Sequence, residues 1–161
     1  MLDLTTPRGK ELFLDLVRVS DVVIDNYTLR VMPNFGLDYP VLEAVNPRII
    51  MISMPGYGPE GPYKEYPSFG ESIEATSGLA HLTGYTYGPP MRSAIFIPDP
   101  ITGLHTALAT VVCLNQRMVT GRGQRVILSQ LESATQLAGE AILEFGMNGR
   151  SQTRQGNRRR G

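Results

Sequence analysis

The sequence is short of the residues and runs that mark several functional classes. It has one cysteine, no net charge and no apolar run near the ~18 residues of a membrane span. A lone Cys113 excludes an intramolecular disulfide framework and accords with a reducing compartment. It lies in an apolar helical run and reads as a core residue. A nucleophilic thiol needs a base beside it, and spacing alone puts neither His81 nor His105 there. A formal net charge of zero gives no global field for a nucleic acid or a membrane. The opening MLDLTTPRGK holds no apolar signal-peptide core, so a cytoplasmic protein is the expectation.

Standard site motifs are missing as well. No G-x-G-x-x-G and no Walker A loop is present, which argues against a classical dinucleotide or NTP site. Without H-E-x-x-H or a cysteine pair, no metal site is suggested. A G-x-S-x-G elbow is absent too. His81 and His105 are far apart and read as structural histidines.

What is present is a globular chain of 161 residues, 42% hydrophobic and 19% charged, enough for one domain with a real core. Its charge is uneven. Arg150, Arg154, Arg158, Arg159 and Arg160 crowd the end, and no acid follows Glu144. A basic tail can bind nucleic acid, but without interleaved aromatics a solvated terminus is the simpler reading.

Helix and strand signals alternate. Thr5 or Thr6 followed by Pro7 starts a helix, with a hydroxyl cap and a proline where no N–H is needed. DVVID (21–25), RIIMISM (48–54) and RVILSQ (125–130) read as strands, the first two buried, and SAIFI (93–97) as a strand or extended segment. Residues 71–82 and 131–147 read as helices. Residues 101–118 are apolar at most positions and predict a helix buried on most sides, ended by Gly121 or Gly123. Between the second strand and the next helix, PGYGPEGPYKEYPSFG (55–70) is half glycine and proline, a long tyrosine-bearing loop of the kind that holds sites in α/β proteins. The order predicts an α/β fold with a parallel sheet and flanking helices. Residues 1–149 form the domain and 150–161 a basic tail, taken as a truncated linker. The chain opens directly on a helix, so a piece of a longer protein is expected.

One stretch resists a purely structural account: IFIPDPITGLH (95–105). Asp99 followed by Pro100 reads as a helix N-cap with proline at the first helical position. Gly103 does not fit that reading, since glycine costs up to about 1 kcal/mol inside a helix. It is tolerable where something approaches the backbone. A carboxylate on a helix N-terminus, whose dipole favours negative charge, is then a candidate nucleophile towards an activated acyl group.

The blocks LDLTTPRGKELFLDLV, SDVVIDNYTLRVM, NPRIIMISMPGYGPEGPY, TSGLAHLTGYTYGPP, PDPITGLHTALA and TGRGQRVILSQLESA occur in the order seen in the class III CoA-transferases. The chain resembles that family over essentially its whole length. The family includes formyl-CoA and crotonobetainyl-CoA transferases and the α-methylacyl-CoA racemases. The resemblance implies the middle and end of a large Rossmann-like domain from a longer chain, an interlocked homodimer, and acyl-CoA and a carboxylic acid as substrates. It implies no metal.

Residue by residue, Asp99 matches the aspartate nucleophile of the D-x-x-x-G block. The coenzyme A surface would include Leu2, Asp3 and Leu4; Asn26, Tyr27 and Thr28; and Ser68, Phe69, Gly70 and Glu71. Asn26 is also an ordinary turn residue and Glu71 an ordinary first-turn charge. Thr5 stands where some members have lysine, and Asn34 where an arginine is common, with Arg30 as a substitute. Lys64 could meet a phosphate or simply be solvated. The racemases use a His-Asp pair at positions matching Phe69 and Gly70, neither of which can move a proton. An acyl-CoA racemase and a non-catalytic fragment keeping part of the CoA site remain the alternatives to a transferase.

Overall fold

The computed structural model describes residues 1–158; Arg159, Arg160 and Gly161 of the basic tail lie outside the described residues. Three strands form the sheet. β2 (Ile50–Ser53) is central and fully buried, with β1 (Val22–Asp25) parallel on one side and β3 (Arg125–Ile127) parallel on the other. Val23 stands opposite Met51, and Ile52 opposite Val126. Each strand is shorter than its apolar run, because only the paired residues make ladder contacts.

The period of two along β2 divides the core. Met51, with Ile49 just before the strand, packs with Val17, Met32, Leu37 and Leu42. These come from α1 (Pro7–Val19), α2 (Val31–Asn34), α3 (Tyr39–Val45) and the loop between the last two. Ile50 and Ile52 face the other way, onto Cys113 of α6 (Pro98–Thr120). Cys113 is therefore a core residue, as its neighbours predicted. Each buried isoleucine contributes about 1.5–3 kcal/mol. The result is a sheet between two helical layers.

The start of α1 follows the sequence signal. Thr6 Oγ1 accepts the Gly9 N–H at 3.1 Å, and Pro7 needs no partner. At its far end α6 stops at Gly121, which has φ +73° and donates its N–H to the Arg117 carbonyl. Arg117 is 9% exposed and donates to the Asp21 carboxylate and to the carbonyls of Asp21 and Arg48. It ties α6 to the entries of β1 and β2.

Several expectations fail for identifiable reasons. Residues 71–82 are two helices, α4 (Gly70–Thr76) and α5 (Leu79–Leu82), because Gly78 takes φ +84°, which a right-handed helix cannot contain. Residues 131–147 divide into α7 (Gln130–Thr135), a 3-10 turn (Gln136–Ala138) and α8 (Gly139–Asn148). SAIFI is no strand; it ends in a turn with Phe96 at φ +48°. β1 is an edge strand and leaves Ile24 52% exposed. α6 packs along a single stripe, Pro98, Thr102, Thr106, Cys113 and Arg117, while Leu104, Leu108, Val111, Met118 and Val119 are exposed. A hydrophobic sequence does not say how many neighbours are present to cover it. Up to Arg158 the tail is not a free linker. Arg154 donates to the carbonyls of Gly88 and His81, and the Gly156 N–H donates to Gly84. Among the described residues no helix is long and apolar enough to cross a membrane.

Candidate active site

Asp99 is not the cap of α6. The cap position belongs to Ile97, with φ −41° and ψ −37°, whose own apolar side chain makes no capping bond. Asp99 lies in the first turn, between Pro98 and Pro100. The prolines explain the shift. Neither has an N–H to satisfy, and both suit the helical φ. The Asp99 N–H donates to the Phe96 carbonyl at 3.0 Å, and the Ile101 N–H to the Ile97 carbonyl at 3.2 Å. With its donors absent or satisfied, the helix start makes no demand on the Asp99 side chain. Among the described residues no hydrogen bond reaches that carboxylate, which is exposed.

The carboxylate borders an open cavity of about 450 Å³, lined by Phe69, Gly70, Glu71, Ser72, Phe96 and Asp99. Gly70 makes this approach possible. A Cβ on it would lie 2.8 Å from Phe96 Cβ and 2.9 Å from Asp99 Oδ2. Phe96 reaches its place through a left-handed backbone conformation worth roughly 1–2 kcal/mol of strain. Glu71, at the rim, forms an ion pair with Arg92. A Cβ on Gly103, four residues along α6, would meet nothing within 4 Å, and the residue is exposed. No described group approaches that backbone.

Of the sequence-predicted CoA residues, the structure brings Phe69, Gly70 and Glu71 to Asp99. Ser68 lies behind them, packed on Gly56, where a Cβ would fall 1.7 Å from Ser68 Oγ. Leu2, Asp3, Leu4, Asn26, Tyr27 and Thr28 do not line that cavity. Leu4 packs on the core beneath α1. Asp3 is occupied locally: its carboxylate accepts the Thr5 hydroxyl at 2.6 Å and the Thr5 N–H at 2.9 Å. Those bonds hold its carboxyl below the usual range, the hydroxyl contributing most.

Asn26 and Tyr27 are exposed on the turn leaving the carboxyl end of β1, an edge where α/β folds bind ligands. The turn is built by Asp25, which the resemblance groups with Asn26, Tyr27 and Thr28 at the end of this strand. Asp25 is 8% exposed; its carboxylate accepts the Ser53 hydroxyl at 2.7 Å and the Tyr27 N–H at 3.2 Å. Burial pushes its carboxyl above the usual range despite both bonds. Signals for such residues were faint. The resemblance placed Asp25 in the strand-end segment without a structural role, and nothing local pointed to Phe96.

The remaining candidates are dispersed. Arg30 approaches Glu65 at 3.9 Å, which links the β1 turn to the glycine- and proline-rich loop. Lys64 and Asn34 are exposed. That loop is ordered by the tilted rings of Tyr57, Tyr63 and Tyr66, with centroids 5.6 and 5.4 Å apart in succession. His81 is exposed, and His105 is half-buried beside Ser129, Glu132 and Ser133. Among the described residues neither imidazole makes a hydrogen bond, so neither is the satisfied structural histidine expected. No group of three metal-ligating side chains occurs among the described residues.

Comparison with known proteins shows the family. The family model described as CoA-transferase family III matches residues 1–161. The chain is 37% identical over 136 residues to a formyl-CoA:oxalate CoA-transferase of Rhodopseudomonas palustris, a match that covers 84% of the chain and 32% of that protein. It is 33% identical over 157 residues to the succinyl-CoA–L-malate CoA-transferase beta subunit of Chloroflexus aurantiacus, covering 97% of the chain and 39% of that protein. The chain thus spans about a third of the length of these relatives. A crystal structure of a CAIB/BAIF family protein from Brucella suis superposes with a TM-score of 0.91 at 33% identity, covering 96% of this chain and 41% of that one.

Proposed function

The chain belongs to CoA-transferase family III, and on that premise we propose that the full-length protein moves coenzyme A between carboxylic acids with Asp99 as nucleophile. One observation carries the reading. Asp99 is a carboxylate that the fold does not use, placed at a cavity that Gly70 keeps open.

Asp99 attacks the thioester carbonyl of the donor acyl-CoA; the C–S bond breaks and gives a mixed anhydride and CoA thiolate. The thiolate attacks the aspartyl carbonyl of the anhydride, releases the donor as its carboxylate and leaves an aspartyl-CoA thioester. The acceptor carboxylate then attacks that thioester and releases the thiolate. The thiolate attacks the acceptor carbonyl of the second anhydride, forms the new acyl-CoA and restores Asp99. No proton is gained or lost, so no general base is required. That agrees with a cavity whose described lining is Phe69, Gly70, Glu71, Ser72, Phe96 and Asp99, with no histidine among them. It also disfavours the racemase reading, since positions 69 and 70 carry no ionisable group.

Asn26, Tyr27 and Thr28, at the carboxyl edge of the sheet, are the residues through which this chain would meet the nucleotide end of CoA. The exposed apolar side of α6 is the surface that the rest of the chain, or a partner in an interlocked homodimer, would cover.

Hydroxylamine trapping tests the reaction. Full-length protein incubated with a radiolabelled acyl-CoA and quenched with hydroxylamine is expected to carry a hydroxamate on Asp99, located by peptide mass spectrometry. Asp99→Asn should carry none. A wild-type protein that turns over acyl-CoA but yields no hydroxamate there would sink the reading.

A further inference from the structure

The turn that presents Asp99 is held in a shape its residues do not prefer. Phe96 has φ +48°, Ile97 is helical although Pro98 follows, and Asp99 is helical although Pro100 follows. Such conformations persist only where the surroundings fix them. Here one of the fixing contacts runs through a single side chain. Ser93 Oγ accepts the Ile97 N–H at 3.3 Å, at the cap position of α6. Ser93 is in turn held by Glu74 of α4. Its hydroxyl donates to Oε2 at 2.9 Å, and its N–H donates to Oε1 at 2.5 Å. The proton inventory closes, since the hydroxyl gives its one hydrogen to Glu74 and a lone pair receives the Ile97 N–H.

Glu74 is 1% exposed, and among the described residues no cation pairs with it. A carboxylate buried without a counter-ion is expensive, and packing alone has no need of one. Its hydrogen bonds supply the reason. One turn earlier on the same helix, Gly70 abuts the Asp99 carboxylate. α4 therefore holds the aspartate turn at two points, Gly70 at the carboxylate and Glu74, through Ser93, at the helix cap.

We propose that Glu74 and Ser93 are positioning residues that set where Asp99 stands. They touch no substrate; they hold the strained turn from which the nucleophile projects. The inference rests on the reading of Asp99 as nucleophile.

The test separates placement from binding in the full-length protein. The rate at which Asp99 is acylated and converted to its CoA thioester is measured by acid-quenched labelling with acyl-CoA radiolabelled in its CoA moiety, and CoA affinity by equilibrium dialysis. Ser93→Ala is expected to slow acylation about tenfold with CoA affinity unchanged, because a displaced reacting group loses rate and not binding. Ser93→Thr, which keeps the hydroxyl, is expected to restore the rate. Glu74→Gln, which keeps one acceptor oxygen, should fall between. Thermal unfolding of each variant identifies any that fail to fold, and the others carry the result. Acylation of Ser93→Ala at the wild-type rate overturns the proposal. So does a parallel loss of CoA affinity, or a threonine variant no faster than alanine. Wild type without label removes the nucleophile reading, and the positioning role with it.

Discussion

A methyl group added at Gly70 is the smallest change that probes the placement of Asp99. The alanine Cβ would stand 2.8 Å from Phe96 Cβ, 2.9 Å from Asp99 Oδ2 and 3.2 Å from Asp99 Cγ. The neighbours are unequal in stiffness. Phe96 Cβ is fixed by a left-handed backbone within a two-proline turn, whereas the Asp99 carboxylate is the free end of a side chain. The carboxylate therefore moves, and the Phe96 contact is relieved only by a shift of the turn that carries Asp99. Crowding of this kind costs about 1–3 kcal/mol. Alanine in place of glycine in a helix returns roughly 0.5–1 kcal/mol. The net loss of stability is about 0–2.5 kcal/mol, which leaves the protein folded. Rate responds more sharply, since a displacement near 1 Å costs on the order of 100-fold. Gly70→Ala is thus expected to lower the rate of Asp99 acylation by roughly 10- to 100-fold, with a small shift in denaturation midpoint. Rapid-quench labelling and urea denaturation on the same preparation read both quantities. An alanine variant that acylates at the wild-type rate would refute the reasoning, because Gly70 would then not be clearing a path for the carboxylate.

Two further outcomes follow from the same geometry. Gly103→Ala fills open space on an exposed helix and should raise stability by about 0.5–1 kcal/mol in urea denaturation; if substrate occupies that space, acylation slows while stability rises. Asp25 gives a pH signature. Burial raises its carboxyl above the ordinary 3.8, so the folded state keeps a proton that the unfolded state gives up. Below 3.8 both states hold the proton; as pH rises through the window from there to the raised folded value, stability is lost, and above that window the loss is constant. Asp25→Asn removes this contribution, so its stability relative to wild type should be greater at pH 7 than at pH 3.5. An equal difference at the two pH values, measured by circular dichroism in urea, would contradict it.

Local patterns exposed some features fully. The Thr-Thr-Pro stretch placed a helix start to within a residue, leaving Thr5 or Thr6 as the cap, since the hydroxyl, the fixed φ and the missing N–H act over a few bonds. The apolar runs ending at Asp25 and Ser53 marked parallel strands, because a buried strand needs apolar residues on both faces. The IPDP segment was legible as a helix start but misplaced by two residues. Two prolines in succession permit either register, and the choice fell to Phe96 turning left-handed over Gly70. Breaks at Gly78 and Ala138 stayed hidden, as did the role of Glu74, because each depends on what packs against it. The apolar richness of α6 was visible, but the number of faces covered was not.

The sequence by itself determined the alternation of helices and strands, the membership of Cys113 in the core and the presence of a carboxylate at the start of a long helix. These follow from side-chain chemistry and spacing within one element. Only the tertiary structure decided that Asp99 is not consumed as a cap, that Gly70 stands against it, and that Ser93 and Glu74 hold its turn. Residues 70, 74, 93 and 99 come from two helices and a loop, and their meeting depends on how α4 packs against α6. No periodicity along the chain encodes that Gly70 and Asp99, 29 residues apart, meet so closely that a Cβ on the glycine would fall 2.9 Å from the carboxylate.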